Sequence, residues 1–186
     1  MGCDDAHLIQ RWQQGDAAAF EALVRRWQQP VGRCLFRLVG QAELVNDLCQ
    51  EVFMRVYSAG PRYRPSAAFS TWLYRIALNV ARDAARRRKH EPVSLSDREV
   101  EDRAPAAEEA CQQHELVSLV AQAVAELPEP LRTVLVLHHY EGMSFEEIAR
   151  LTETPASTLK SRFAAALRRL RKRLQHLGND GEEETP

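Results

Sequence analysis

The chain of 186 residues contains only 4 cysteines, and Cys3, Cys34, Cys49 and Cys111 share no CxxC or Cys/His ligand spacing. That argues against a structural zinc, whose ligands come in close pairs. Cys34 and Cys49 fall among apolar helical positions and read as small core residues. No run approaches the ~20 apolar residues of a membrane span. No long apolar signal-peptide core stands at the N-terminus, so a cytoplasmic, reduced protein without membrane insertion is expected. No strand alternation occurs along the chain, and the fold class is read as all-α. The phosphate-gripping GxxxxGK[ST] loop and the HExxH helix are both missing. His138 and His139 are adjacent on a helix and diverge. No catalytic residue, metal or cofactor is expected.

What is present is a strong motif near the C-terminus. Ser144-Phe-Glu-Glu147 has the form of a capping box, with Met143 and Ile148 as its hydrophobic staple. The helix it starts breaks at Thr152-Glu-Thr-Pro155, where Thr154 suits an N-cap and Pro155 a first helical position. The next helix carries an apolar stripe of Leu159, Phe163, Ala166, Leu167, Leu170 and Leu174. Ser157, Ser161, Ala164, Ala165 and Arg168 lie opposite, with Lys160 and Arg162 on the flanks. Two helices, a tight turn and a basic outer face with small side chains describe a helix-turn-helix that can approach base edges in a major groove.

Charge divides the chain. Residues 1–90 hold 14 Lys/Arg against 8 Asp/Glu, residues 91–130 hold 2 against 10, and residues 131–177 hold 9 against 4. Two basic blocks joined by an acidic connector imply two nucleic-acid contacts.

The expected order is a short helix Ala6–Gln14, a second after Asp16 with a kink at Pro30, and a third from Ala42 to Ser58. The third carries a buried stripe of Leu44, Leu48, Val52 and Val56. Asp47, Gln50, Glu51 and Arg55 form a polar stripe on another face. After a loop with Tyr63 between Arg62 and Arg64, Ser70 or Thr71 caps a helix from Trp72 to about Lys89. Its inner positions are Leu73, Ile76, Ala77, Val80 and Ala84. Its outer positions are Tyr74, Arg75, Asn79, Arg82 and Asp83, ending in the basic run from Arg86. A linker precedes a helix from about Ala107 to Leu127, and Pro130 starts another that stops at Gly142. The apolar content suits a core split between two helical units.

Several stretches resemble one family. Asp47-Leu-Cys-Gln-Glu-Val-Phe-Met-Arg-Val-Tyr57 and Phe69-Ser-Thr-Trp-Leu-Tyr-Arg-Ile-Ala-Leu-Asn79 resemble the second conserved region of bacterial sigma factors of the extracytoplasmic-function (ECF) group. Leu127-Pro128, Glu147-Ile-Ala149 and Ser157-Thr-Leu-Lys-Ser-Arg162 resemble their fourth region. The resemblance implies a non-catalytic initiation subunit of RNA polymerase. Residues 1–90 would bind the largest-subunit coiled coil through Asp47, Gln50, Glu51 and Arg55. They would also read and melt the minus-ten element through Tyr63, Phe69, Trp72, Tyr74, Arg75, Asn79, Arg82 and Arg86. Residues 91–106 would be the acidic linker. Residues 107–177 would read the minus-thirty-five element through Ser157, Thr158, Lys160, Ser161, Arg162 and Arg168, and rest on the second-largest-subunit flap. Residues 178–186 would be a disordered acidic tail. An anti-sigma factor is the family's usual regulator. The chain departs from the family at Ala165 and Leu167, where arginines are common.

The residues support initiation independently of the family. Opening a duplex needs a platform for an unstacked base, and Tyr63, Phe69, Trp72 and Tyr74 lie beside a basic helix. Phe69 and Trp72 equally suit a core. A helix-turn-helix repressor or activator would leave the Asp47 stripe and the Tyr63 loop unused. An enzyme lacks any supporting motif.

Overall fold

The computed structural model describes residues 2–64, 68–90 and 119–179. Among them every regular element is helical. The N-terminal half comprises α1 (Gly2–Gln13), α2 (Ala17–Val39), α3 (Ala42–Ala59), a single 3-10 turn (Gly60–Arg62) and α4 (Phe69–His90). The C-terminal half comprises α5 (119–125), α6 (Glu129–Leu135), one π turn (Val136–Tyr140), α7 (Phe145–Thr152) and α8 (Ala156–Asn179). The expected linker 91–106, most of the 107–127 helix and nearly all of the 178–186 tail lie outside the described residues.

Local signals place most boundaries. Gly15 ends α1 at φ 98°, and the Asp16 side chain caps α2 by accepting from the Ala19 N–H at 3.3 Å. Gly40, at φ 74°, closes α2 by donating its N–H to the Phe36 carbonyl at 2.8 Å. The α3 stripe is buried at Leu48, Val52 and Val56, joined by Phe53, while Leu44 is half-buried. It packs on α2 and α4.

Two expectations for α4 need correction. The helix begins at Phe69, and its first hydrogen bonds close on the Ala68 carbonyl, so neither Ser70 nor Thr71 is the cap. Tyr74 is buried, because α4 is covered on two sides: Trp27 of α2 meets the ring edge-on, and Glu141 of the C-terminal half accepts from its hydroxyl.

In the C-terminal half Ser144 and Glu147 form the capping box, with the Ser144 N–H donating to Glu147 at 2.9 Å and the Glu147 N–H donating to Ser144 Oγ at 3.2 Å. Met143 and Ile148 are both buried beneath it. The turn into α8 places Glu153 at φ 54°. The first bond of α8 closes on the Pro155 carbonyl, so α8 starts one residue later than expected, and the Thr154 hydroxyl donates to the Thr152 carbonyl. The buried stripe of α8 includes Leu159 and Ala166, with Phe163 and Leu170 packed against the core. Leu167 does not belong to it and is 47% exposed. The 159–163–166–170 spacing follows one face, and position 167 sits about 100° around from 166. His138 fills the motif's centre, stacked on Phe145 at 4.1 Å and edge-on to Phe163 at 4.9 Å. Its Nδ1 lies 2.7 Å from the Met143 carbonyl. A carbonyl only accepts, so Nδ1 carries the hydrogen.

The hydrogen bonds of Ser144 hold the Glu147 carboxyl below its ordinary range. A depressed carboxyl contributes stability above its unfolded pKa and loses it as pH falls through the folded value. We expect Ser144→Ala to destabilise the protein by about 0.5–2 kcal/mol at pH 7. The gap between variant and unaltered protein should narrow below about pH 4, near the ordinary carboxyl range. Urea denaturation at both pH values measures it; a gap independent of pH would contradict the role of Glu147.

The expected split core is instead continuous. Buried apolar residues from both halves join in one cluster. Gly40 marks one seam: a Cβ there would stand 2.9 Å from the Ala125 Cβ, and its left-handed backbone independently favours glycine.

Candidate nucleic-acid and polymerase interfaces

The first surface lies where α4 meets the 3-10 turn. Gln13 Nε2 donates to the Gly60 and Tyr63 carbonyls at 2.8 and 2.9 Å, fastening the turn to α1. Tyr63 then stands against Trp72, ring centroids 4.4 Å apart, and Phe69 completes the aromatic group at 5.7 Å from Trp72. Burial raises the Tyr63 hydroxyl above its usual pKa, keeping it a neutral donor. A cavity of about 320 Å³ opens beside these rings, lined by Arg62, Tyr63, Arg64, Thr71, Trp72 and Arg75, with Ala59. It offers one aromatic wall and three guanidinium groups, the chemistry that holds a flat base and its phosphate.

The eight expected minus-ten residues separate into groups. Trp72, half-buried, Arg75, Asn79 and Arg86, all exposed, and Arg82, half-buried, lie at or near the surface. Tyr63, Phe69 and Tyr74 are buried and support the others from beneath. Burial thus divides the group: Tyr63, Phe69 and Tyr74 belong to the core, and Trp72 keeps part of its ring accessible.

The second surface is on α3. Asp47 and Gln50 are exposed. Glu51 and Arg55 instead tie α3 to α4: Arg55 binds Glu51 and, at 3.0 Å, Asp83, while Arg87 reaches Glu51 at 3.1 Å. Burial alone would raise the Glu51 carboxyl, but hydrogen bonds from Arg87 and Arg55 outweigh it and hold it low. The Arg55 hydrogen bond is also the main cause of the lowered Asp83 carboxyl. Beside Gln50 runs an apolar groove of about 520 Å³ that includes Phe20, Val24, Phe53, Met54 and Tyr57. Met54 and Tyr57 are 63% and 60% exposed. Asp47, Gln50, Met54 and Tyr57 follow helical spacing on one face. That spacing was available in the sequence; only the exposure of the two apolar members was missing.

The third surface is α8. Ser157, Lys160, Ser161 and Arg168 are exposed, with Thr158 and Arg162 half-buried. The Ser161 hydroxyl donates to the Thr158 carbonyl at 2.8 Å, and Lys160 Nζ lies 5.8 Å over the Phe145 ring. Arg173, from the same basic cluster, binds Glu126 through two hydrogen bonds of 2.8 and 3.1 Å. Exposed Leu167 stands beside Arg168 and Arg169, which are also exposed.

Residues 23–91 match the family model of Sigma-70 region 2, and residues 118–170 match that of Sigma-70, region 4. The RNA polymerase sigma-H factor of Pseudomonas aeruginosa is 36% identical over 183 residues, covering 93% of this chain and 95% of that protein. The ECF RNA polymerase sigma-E factor of Haemophilus influenzae is 34% identical, covering 93% and 96%. That of Escherichia coli K12 is also 34% identical, covering 93% and 95%. The chain belongs to the ECF sigma factors.

This ECF sigma factor works with core RNA polymerase at promoter DNA and directs transcription initiation. Solved structures agree on the fold. CnrH, in complex with the cytosolic domain of CnrY, matches with a TM-score of 0.70 at 24% identity, covering 93% of this chain and 98% of that one. The sigma factor RpoE in complex with the anti-sigma factor NepR from Bartonella quintana matches at 0.67 and 18%, covering 84% and 96%. The α3 and α4 surfaces fall within the region 2 match, and α8 through Leu170 within region 4. Helix α1 precedes the region 2 match, yet its Gln13 fastens the base-sized cavity. No metal-holding cluster and no helix long and apolar enough to cross a membrane occur among the described residues.

Proposed function

We propose that this sigma factor opens the minus-ten element by drawing one unstacked base into the Tyr63–Trp72 cavity. The carrying observation is that cavity itself, an aromatic wall among Arg62, Arg64 and Arg75. Extruding a base costs a few kcal/mol. Stacking contributes about 1–3 kcal/mol and each hydrogen bond about 0.5–1.5, enough to offset one base and not many. Asn79 supplies polar readout one to two turns along α4, and Arg82 and Arg86 follow the backbone. Phe69 and Tyr74 set the platform from below.

Residues 1–90 form the melting module and 107–177 the minus-thirty-five module, joined by 91–106. Asp47 and Gln50, with Met54 and Tyr57 between the polar groups and the groove, meet the coiled coil of the largest polymerase subunit. Glu51 and Arg55 shape that face by locking α3 to α4. The C-terminal module also rests on the flap of the second-largest subunit. The protein has no catalysis of its own and acts in the cytoplasm. An anti-sigma factor is its regulator, a reading supported by the complexes in which the two structural relatives were solved.

On α8, Ser157 and Ser161 approach base edges, with Thr158 beside them, while Lys160, Arg162 and Arg168 take phosphates. Leu167 and Ala165 replace the family's arginines, so phosphate contact there passes to Arg168 and Arg169. Removing one phosphate contact lowers the salt slope of binding by ~1 and weakens all sequences alike. Lys160→Ala should do this in holoenzyme titrations over a range of salt. A change of base preference at one position, with an unchanged slope, would reject the assignment.

Transcription by core polymerase with this chain, combined with permanganate probing of unpaired thymines, tests the whole reading. A holoenzyme that bound its promoter without exposing thymines would contradict it.

A further inference from the structure

The base-sized cavity beside Trp72 takes part of its shape from α1, a helix that precedes the region 2 match at residues 23–91. Both ends of α1 are fixed to α2. Near its start, Asp5 accepts from Arg26 at 2.6 Å. Near its end, Arg11 binds Asp16, the α2 cap, at 2.5 Å. The last turn of α1 then grips the Gly60–Arg62 turn in two ways. Trp12 fills the space in which a Gly60 Cβ would stand. Gln13 spans the turn with one amide group, donating to the Gly60 carbonyl at 2.8 Å and to the Tyr63 carbonyl at 2.9 Å. An amide nitrogen carries two hydrogens and a carbonyl only accepts, so the nitrogen faces the turn and both its donors are used.

The braced turn is the support of the aromatic wall. The Tyr63 N–H donates to the Gly60 carbonyl at 3.0 Å and closes the turn between the two carbonyls that Gln13 holds. The Tyr63 ring then backs Trp72 at a centroid distance of 4.4 Å. Gln13 is exposed and does not line the cavity. Any influence it has on a captured base passes through Tyr63 and Trp72.

We propose that Gln13 is a positioning residue for minus-ten melting, whose two hydrogen bonds hold the turn so that Tyr63 keeps the Trp72 ring in place for the unstacked base. The proposal rests on the assignment of the cavity to that base. Without the brace the turn samples other positions, and apparent affinity for the base falls with the fraction of molecules whose cavity is formed. A platform ordered in advance on a rigid helix avoids that loss. Helix α1 thereby becomes a working part of promoter opening.

The test uses holoenzyme assembled with the unaltered chain, Gln13→Met, Gln13→Lys, Gln14→Lys or Trp72→Ala. Met keeps the length of the side chain without a donor, whereas Lys restores donors and adds a charge. Gln14→Lys puts the same charge on the neighbouring exposed residue. Because Gln13 is exposed, its replacement opens no buried gap, and each Gln13 variant should fold. The probe is a fluorescent single strand carrying the minus-ten segment of a promoter selected with the holoenzyme, intact or with one base at a time removed. The captured base is the one whose removal weakens the unaltered holoenzyme but not Trp72→Ala. Gln13→Met should bind the intact strand about five-fold more weakly and lose most of the penalty for removing that base, with penalties elsewhere unchanged. Gln13→Lys and Gln14→Lys should both bind within about two-fold of the unaltered protein. A full penalty in Gln13→Met would overturn the positioning role. An equal fall in the penalties at every position would also overturn it, since a general loss of structure acts that way. Gln13→Lys as weak as Gln13→Met would overturn the part played by the donor. A gain in Gln14→Lys as large as that of Gln13→Lys over Gln13→Met would assign the recovery to charge and overturn it likewise. If no penalty depended on Trp72, the assignment of the cavity to a base would fall instead.

Discussion

Trp72→Ala is expected to bind a closed promoter normally in holoenzyme and to form roughly 5–150-fold fewer open complexes, the equivalent of 1–3 kcal/mol of lost base stacking. Trp72 is the half-buried member of the aromatic group and borders the cavity, while Tyr63 and Phe69 are buried behind it. The ring is therefore the accessible face on which a base can lie. Permanganate reactivity of promoter thymines measures the opened fraction. A pre-opened, mismatched promoter should restore transcription, since the opening cost then no longer falls on the protein. Trp72→Phe should retain most of the activity, because a flat ring remains. An equal deficit on duplex and mismatched templates would place Trp72 in a later step and remove it from melting.

Gly60→Ala should be the most destabilising single change in the loop. Its backbone is ordinary helical, φ −57°, so any residue could adopt it. The obstacle is space: an ideal Cβ would lie 1.6 Å from Cη2 of Trp12 and 2.2 Å from its Cζ3. One or both must move. Displacing Trp12 disrupts its packing on Phe20, 4.8 Å away, and on Tyr57, 6.0 Å away. Displacing the turn strains the two bonds from Gln13 and shifts the segment that carries Arg62 and Tyr63. Overpacking of this kind costs about 1–3 kcal/mol or more. For a chain of this length that lowers Tm by roughly 3–10 °C. Trp12→Leu added to Gly60→Ala should recover part of the loss, a coupling that independent sites do not show. An unchanged urea midpoint in the single variant would mean that Trp12 has room to yield.

The α3 surface shows how a correct pattern can carry two different roles. Asp47, Gln50, Glu51 and Arg55 share a polar character in sequence, and the helix does place them off the buried stripe. Glu51 and Arg55, however, spend their charges on Asp83 and Arg87 of α4. Reversing both charges would disturb the packing of two helices along with any polymerase contact. Asp47 and Gln50, together with Met54 and Tyr57, are the cleaner probes of the proposed interface.

The sequence by itself determined what is local. Gly15, Asp16, Gly40 and the Ser144–Glu147 box act within one helical turn, and the α3 and α8 stripes repeat at the helical period, so those elements and the helix-turn-helix were legible. The family's motifs likewise lie in short runs. Only the tertiary structure decided that Tyr74 is buried, that Leu167 is outside the core, and that Met54 and Tyr57 are bare. It also decided that the two halves share one cluster. The reason is distance along the chain. Gln13 reaches Tyr63, Glu51 reaches Arg87, and Tyr74 reaches Glu141, pairs separated by 50, 36 and 67 residues. Periodicity states which side of a helix is apolar or polar, and a partner dozens of residues away decides which of those side chains water still touches.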